Sequence, residues 1–391
     1  MNAISITQRS LMLAALAASP LPLFAAGTVG SGTPGSCTEA ALDAALTGGG
    51  AVNFNCGAAP ASIVLTGGKT IAANTTIDGG GVIMLDGNGG TFTQFQVADG
   101  IDFSILGLIL RNAGGAVWTD TGNISISAST ISDHNGVAGG AVGGGGTLNI
   151  TNSIVKRNTY TAGSPGAGIN SFGNGALTIV DSEISVNTQT NGGGAGLYIG
   201  SNNALIMNST FSGNDATGSV GGGLRNDGTG TIIVNSTFTA NSASSGGAIV
   251  SLAGSVDVNY STIAGNTGGG LSNQQQGVTL TLANTIVANN DFNCNGTFID
   301  GGNNLQFGGG LPTSCGGTIP VSDPLLDILA NNGGPTRTMA LLPGSPAIDA
   351  GNILLCPPAD QRGVSRPVGA GCDIGAYESL DADVIFKDGF E

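Results

Sequence analysis

The sequence predicts an all-β chain wound as a single-stranded parallel β-helix, with short strands repeated about three to a coil over about ten coils. Three observations carry this. The first is a repeated phrase: Leu205-Ile206-Met207-Asn208-Ser209-Thr210-Phe211 returns as Ile232-Ile233-Val234-Asn235-Ser236-Thr237-Phe238. The second is its period, since the anchors Ile131, Ile154, Ile184, Phe211, Phe238, Ile263 and Ile286 recur at steps of 23, 30, 27, 27, 25 and 23 residues. A step in this range marks stacked repeats. The third is composition within each unit: short apolar stretches such as Leu280-Thr281-Leu282 are separated by Gly, Asn, Ser and Thr, which are poor helix formers and good corner residues.

At the N-terminus, Arg9 precedes the apolar run Leu11–Ala18, and small residues follow at Ala25-Ala26-Gly27. This pattern predicts an export signal over residues 1–27. No later stretch is long and apolar enough to span a bilayer as a helix. Residues 28–60 are expected to form an N-terminal cap. There Ser36-Cys37-Thr38-Glu39 reads as a capping box for a short helix with Leu42, Ala45 and Leu46 on its apolar face.

The β-helix itself is assigned to residues 61–318. Alternation begins irregularly, with Ile63, Leu65, Ile71, Ile77, Ile83, Leu85, Phe95, Val97, Phe103, Ile105 and Leu108, and then becomes regular. Asn187, Asn214, Asn241, Asn266 and Asn289 fall three residues after their anchors, and Asn135 and Asn158 fall four after theirs. Asparagine tolerates the left-handed backbone of a sharp corner, and stacked amides can form a ladder. After Thr318 the chain becomes richer in proline and charge. Residues 319–380 are expected to form a C-terminal cap opened by a helical turn at Asp323–Leu326, and residues 381–391 a terminal tail.

Charged residues make up 9% of the 391, and the net charge is −15. Nucleic acid is excluded as a partner because no basic track exists. The same balance opposes anionic membrane surfaces and highly acidic polysaccharides. We expect a monomer without a cofactor.

Two stretches resemble a known family. Asn331-Asn332-Gly333-Gly334-Pro335-Thr336, Leu341-Leu342-Pro343-Gly344-Ser345-Pro346-Ala347-Ile348-Asp349-Ala350-Gly351, Asp360-Gln361-Arg362-Gly363 and Cys372-Asp373-Ile374-Gly375-Ala376-Tyr377-Glu378 resemble the choice-of-anchor Q domain. The opening from Cys37-Thr38-Glu39 to Thr76-Ile77-Asp78-Gly79 is similar to that of the same exported bacterial proteins. The resemblance implies a right-handed, pectin-lyase-like β-helix delivered to the cell surface or beyond it. It brings no catalytic residues.

An exported chain raises a disulfide question for its six cysteines. Fifteen pairings are possible, and the order along the chain favours the local set Cys37/Cys56, Cys294/Cys315 and Cys356/Cys372. No Cys-x-x-Cys or Cys/His cluster offers a zinc site. Asp349, Asp360, Asp373 and Glu378 are carboxylates suited to calcium, but pairing of Arg362 or Arg366 with Asp360 or Asp373 is the favoured reading.

For catalysis, the paired carboxylates with Gly-His-Gly of some β-helix hydrolases are absent. Asp133-His134 is the one acid–histidine neighbour pair, and His134 falls in the corner slot that Asn fills later, so we assign it to structure and assign no catalytic residue. The Gly-Gly units align an inward column of Val117, Val142, Ile169, Leu197, Leu224, Ile249 and Leu271. Strand alternation then points Trp118, Gly143, Asn170, Tyr198, Arg225, Val250 and Ser272 outward, with Asp120 and Asp227 two residues beyond Trp118 and Arg225. Trp118, Asp120, Asn170, Tyr198, Arg225 and Asp227 are therefore the candidate ligand-binding residues, because aromatic faces beside amides and charges suit sugar rings. The leading functional expectation is a non-catalytic, adhesin-like or glycan-binding protein. A polysaccharide lyase or glycoside hydrolase is the alternative, and a structural envelope component is the third.

Overall fold

Successive strands pair in parallel with their counterparts one coil away, as Thr210–Ser212 does with Thr237–Thr239 and that strand with Thr262–Ala264. The computed structural model describes residues 25–380 apart from 137–138, 162, 164, 201–202, 274 and 311–313. Residues 1–24 and 381–391, which hold most of the expected export signal and the tail, lie outside the described residues. The chain is a parallel β-helix of about eleven turns, built on a 21-stranded and a 10-stranded sheet. A 5-stranded strip from Asn135–Gly136 to Ser242–Ser245 adds a short fourth strand to the middle coils.

The inward column pairs as the Gly-Gly alignment requires, through Val117, Val142, Ile169, Leu197, Leu224, Ile249 and Leu271, all fully buried. Opposite it stand Ile131, Val155, Ile184, Phe211, Phe238, Ile263 and Val287. Two expected anchors are thus displaced by one residue: Ile154 and Ile286 are outward, and Val155 and Val287 point in. In both places two apolar residues are adjacent, so hydrophobicity alone does not choose the register. Phe211 and Phe238 stack at 4.6 Å between ring centres.

Two polar ladders line the corners. In one, Asn158, Asn187, Asn214, Asn241, Asn266 and Asn290 stack in the buried interior. The Nδ2 of each donates to the Oδ1 of the next at 2.8–3.0 Å. His134 starts this ladder, its backbone N–H donating to Asn158 Oδ1, and the rungs advance by 24, 29, 27, 27, 25 and 24 residues. Asn135 and Asn289 are not rungs, which corrects the expected set. The left-handed residue is the one before each rung, from Asp133 and Arg157 through Val186 to Asn289, with φ between 54° and 66°. The amides supply hydrogen bonds rather than the turn.

The second ladder was not foreseen. Ser129, Ser153, Ser182, Ser209 and Ser236 each donate a backbone N–H to the hydroxyl one coil on, at 3.1–3.2 Å. Each hydroxyl in this row, from Ser129 to Ser261, donates to the carbonyl two residues before it, satisfying the serine within the wall. Here the preceding residue is often asparagine, as at Asn208 and Asn235, with φ of 51° and 48°. The repeated Asn-Ser-Thr phrase is therefore a corner, a ladder rung and an outward threonine in sequence.

At the N-terminal end the helix runs over Glu39–Leu46, with Leu42 and Ala45 buried. Its cap is Thr38, whose side chain accepts from the Ala41 N–H at 3.2 Å, and not Ser36. Ser36 instead donates to the Thr33 carbonyl in a preceding 3-10 turn. Glu39 is held by Lys69 at 2.6 Å.

The C-terminal region departs most from expectation. Val321 bridges to Gln306 at the end of the stack, and the chain then forms an antiparallel hairpin of Leu326–Ala330 with Thr338–Leu341. The expected helical turn is absent, because Leu325 is left-handed at φ 48° and Leu326 opens a strand. From this hairpin onward the chain returns along one flank as a strap. Gln361 Nε2 donates to Thr210 Oγ1 at 2.8 Å, and Thr237 Oγ1 donates to Gln361 Oε1 at 2.6 Å. Further along, the Ala376 N–H donates to Thr262 Oγ1, and Ile286 packs with Leu341, Ala347 and Ile374. Arg337 pairs with Glu183 at one extreme, and Asn303 reaches the Ala350 carbonyl at the other. The outward Thr210, Thr237, Thr262 and Ile286 offer hydroxyls and apolar surface that the strap satisfies, so it covers a side of the helix as well as extending its end.

Candidate functional site

The outward row exists as the register requires: Trp118 pairs with Gly143, Gly143 with Asn170, Asn170 with Tyr198, and Tyr198 with Arg225. Trp118 and Tyr198 are thus three coils apart, about 14 Å at the usual inter-strand spacing. What the row presents differs along its length.

Trp118 is half-buried and lies across the next coil, over Gly143. A Cβ at Gly143 would sit 2.2 Å from Trp118 Cζ3, so only glycine lets the indole lie flat there. Two coils on, Phe172 stacks against the indole with ring centres 5.0 Å apart and planes 22° off parallel. Asp120 Oδ1 accepts from Trp118 Nε1 at 3.3 Å. The result is a ledge of two rings with an exposed carboxylate at its edge. Phe172 was not among the sequence candidates, since it lies one residue past its strand where alternation no longer predicts direction. Its signal was its place just after Ser171, beside a coil whose outward position is glycine.

Asn170 does not serve as a surface amide. The backbone at Gly140 and Gly166 packs against it, leaving it 4% exposed with Oδ1 buried and without a hydrogen-bond partner. Val250 and Ser272, further along the row, are also buried. Strand alternation points these side chains out of the core, but the connecting turns fold back over them.

Tyr198, Arg225 and Asp227 form a second unit. The Arg225 guanidinium donates to Asp227 through Nε at 3.1 Å and Nη2 at 2.7 Å, and Nη1 donates to the Gly192 carbonyl at 3.0 Å. Its carbon lies 5.5 Å from the Tyr198 ring centre, and the Tyr198 hydroxyl donates to Asp227 at 3.4 Å. Burial, and then the Asp227 charge, push the Tyr198 hydroxyl above its ordinary pKa. Arg225 was expected to offer a positive charge to ligand; its charge is instead committed to Asp227.

The Asp133–His134 pair is divided between surface and wall. Asp133 forms an ion pair with Arg157 at 2.7 Å, whereas His134 is 1% exposed and accepts from the Ala113 N–H through Nδ1 at 3.3 Å. Burial drives the imidazole down to about 4, so it is neutral near pH 7. It is a rung of the ladder and does not face solvent.

All three local disulfides are present: Cys37–Cys56, Cys294–Cys315 and Cys356–Cys372. In the strap, Arg362 grips Asp360 through Nε at 2.9 Å and Nη2 at 2.7 Å, and lies 3.5 Å over the Tyr377 ring. Arg366 approaches Glu378 at 3.4 Å rather than Asp373, and stacks over Tyr260 of the helix wall. These contacts, together with backbone N–H groups from Asp349 and Ser379 on Asp373 and from Gly371 on the Asp349 carboxylate, account for the carboxylates considered for calcium.

A lateral aromatic ledge on a parallel β-helix is the class of architecture these features define. No family model matches the chain, and no curated protein matches it. Among solved structures it is similar to one described as the crystal structure of pectate lyase Pel9A, with a TM-score of 0.46 and 14% identity over 84% of this chain and 87% of that chain.

Proposed function

We propose that this chain is an exported, non-catalytic protein of adhesin-like type that binds polysaccharide or cell-surface glycan on the Trp118–Phe172 ledge. The observation that carries this reading is the stacked ring pair with Asp120 at the indole Nε1. A sugar presents an apolar C–H face to such rings and hydroxyls to such a carboxylate. Three disulfides fit an oxidising compartment outside the cytoplasm. We read residues 1–27 as the export signal and residues 319–380 as the anchor-like region that follows the β-helix. His134, being neutral and walled in, supports the non-catalytic reading.

The test is glycan-array binding with depolymerisation assays run beside it. Wild type should bind at least one glycan and release no new chain ends, and Trp118→Ala should lose that binding. Release of unsaturated or reducing ends would replace this reading with the lyase or hydrolase alternative. Binding that survives in Trp118→Ala would remove the ledge from it.

A further inference from the structure

We infer that the ledge selects glycans carrying amino groups, accepts neutral ones and rejects those built from uronic acids. This rests on the glycan-binding reading above and goes beyond it, because the selection comes from charge at the rim rather than from the rings.

Three carboxylates follow the strands that carry the row. Asp120 is exposed and fixed at the indole edge by Trp118 Nε1. Asp99, also exposed, belongs to the preceding coil and accepts from Thr121 Oγ1 at 2.9 Å, which places it beside Asp120. Asp227 stands at the far end, below Tyr198. Of these, Asp227 is matched by the two-pronged contact from Arg225, while Asp99 and Asp120 have no ion-pair partner among the described residues. The basic side chain that the row contains therefore neutralises a carboxylate and leaves nothing over for an acidic ligand.

A sugar stacked on Trp118 and Phe172 brings its substituents within a few ångströms of Asp120, inside the screening length of about 8 Å at physiological salt. A ring ammonium there meets Asp120, with the charge of Asp99 held on the neighbouring Thr121 adding to the attraction. A ring hydroxyl finds acceptors without a charge term. A ring carboxylate meets like charge on a chain whose net charge is already −15. The order of affinity follows: amino sugar, then neutral sugar, then uronate.

Titration calorimetry on the full chain at mildly acidic pH, where ring amines are protonated and exposed aspartates ionised, reads this order with three probes of equal length: a fully deacetylated chito-oligosaccharide, its N-acetylated form and an oligogalacturonate. At low salt the amino probe should bind about three- to tenfold more tightly than the neutral one, the scale of one or two exposed ion pairs. That advantage should collapse at about 1 M salt, where screening falls to about 3 Å. Asp120→Asn keeps an acceptor for the indole and should bring the amino probe to the level of the neutral one. Trp118→Ala should weaken every probe that binds. An oligogalacturonate that binds as well as or better than the amino probe would overturn the charge selection while leaving glycan binding intact. An unchanged amino preference in Asp120→Asn would equally overturn it. Failure of all three probes, and of the wider array, would instead sink the glycan-binding function itself.

Discussion

Two flanks of the same β-helix present outward side chains from equivalent short strands, and they have opposite fates. On one, Thr210, Thr237, Thr262 and Ile286 point away from the core yet are buried, because the strap lies over them. On the other, Trp118, Phe172, Tyr198 and Arg225 remain half-exposed. The same contrast appears in miniature in two ion pairs, each joining an arginine to an aspartate two residues away. Arg362–Asp360 in the strap has side-chain exposures of 4% and 0%, whereas Arg225–Asp227 on the open face has 25% and 24%. In a solenoid, then, outward does not mean available. Availability is decided by what the rest of the chain lays across the strand.

The largest expected effect breaks the covered side. Asp360→Ala leaves Arg362 buried and unpaired, and should destabilise the strap by about 3–5 kcal/mol. Asp227→Ala, the matching change on the open face, should cost about 1 kcal/mol or less. Calorimetric unfolding of both variants, with limited proteolysis to locate the loosened region, checks this. Equal losses would mean that the strap is not an integral cover. Asn214→Ala comes next, at about 1–3 kcal/mol, because the backbone N–H of Asn187 and its Nδ2 both lose Asn214 Oδ1 as acceptor inside the wall.

A pH effect should also separate the flanks. Burial is the main cause that pushes the Asp373 carboxyl up to about 7 from an ordinary 3.8, and Glu378, beside Arg366, is raised in the same way. The folded strap therefore keeps protons that the unfolded chain releases between about pH 4 and 7. Its stabilisation is complete below about 4 and is lost as the pH rises through about 7. Hydrogen exchange over residues 319–380 should be slower, after correction for intrinsic rates, at pH 5 than at pH 8. Asp373→Asn should flatten the difference; a wild-type strap equally protected at both values would count against the buried acid as its cause.

Much of the helix was legible because its signals are local or periodic. Alternation placed the inward column from Val117 to Leu271, and the corner slot identified His134 as a stand-in for asparagine. Register slipped at Ile154 and Ile286, where neighbouring Val155 and Val287 are equally apolar. At Ile286 the outward residue is apolar for a reason outside the repeat, namely contact with Leu341 and Ile374 of the strap. The serine ladder was present in every copy of Asn-Ser-Thr but has no signature separable from the corner itself. The path of the strap could not be read at all. Gln361 meets Thr210 across 151 residues and Arg337 meets Glu183 across 154, and no period connects them. For the same reason the sequence could list Asn170 as a surface amide and could not show that turns bury it.

The smallest effect on stability should accompany the largest effect on binding, at Trp118. The indole lies on the glycine track at Gly143 and touches Phe172, but it is half-exposed and outside the core, so Trp118→Ala should change unfolding free energy by about 1 kcal/mol or less. For a glycan that wild type binds, the same variant should lose about 1–3 kcal/mol of affinity, since an aromatic anchor supplies much of the buried apolar contact. Gly143→Ala gives an independent approach to the same ledge. A methyl group at that position would sit 2.2 Å from Trp118 Cζ3 and 2.6 Å from the Gly139 carbonyl oxygen, so it would displace the indole and the turn at Gly139 without deleting either aromatic side chain. Binding should fall in both variants while the strap's protection from exchange stays unchanged, because the ledge and the strap occupy different flanks. If Gly143→Ala binds as tightly as wild type, the flat indole is not what the ligand meets. If instead it loosens the strap, the two flanks are coupled through the core, and the division between a covered side and an open one fails.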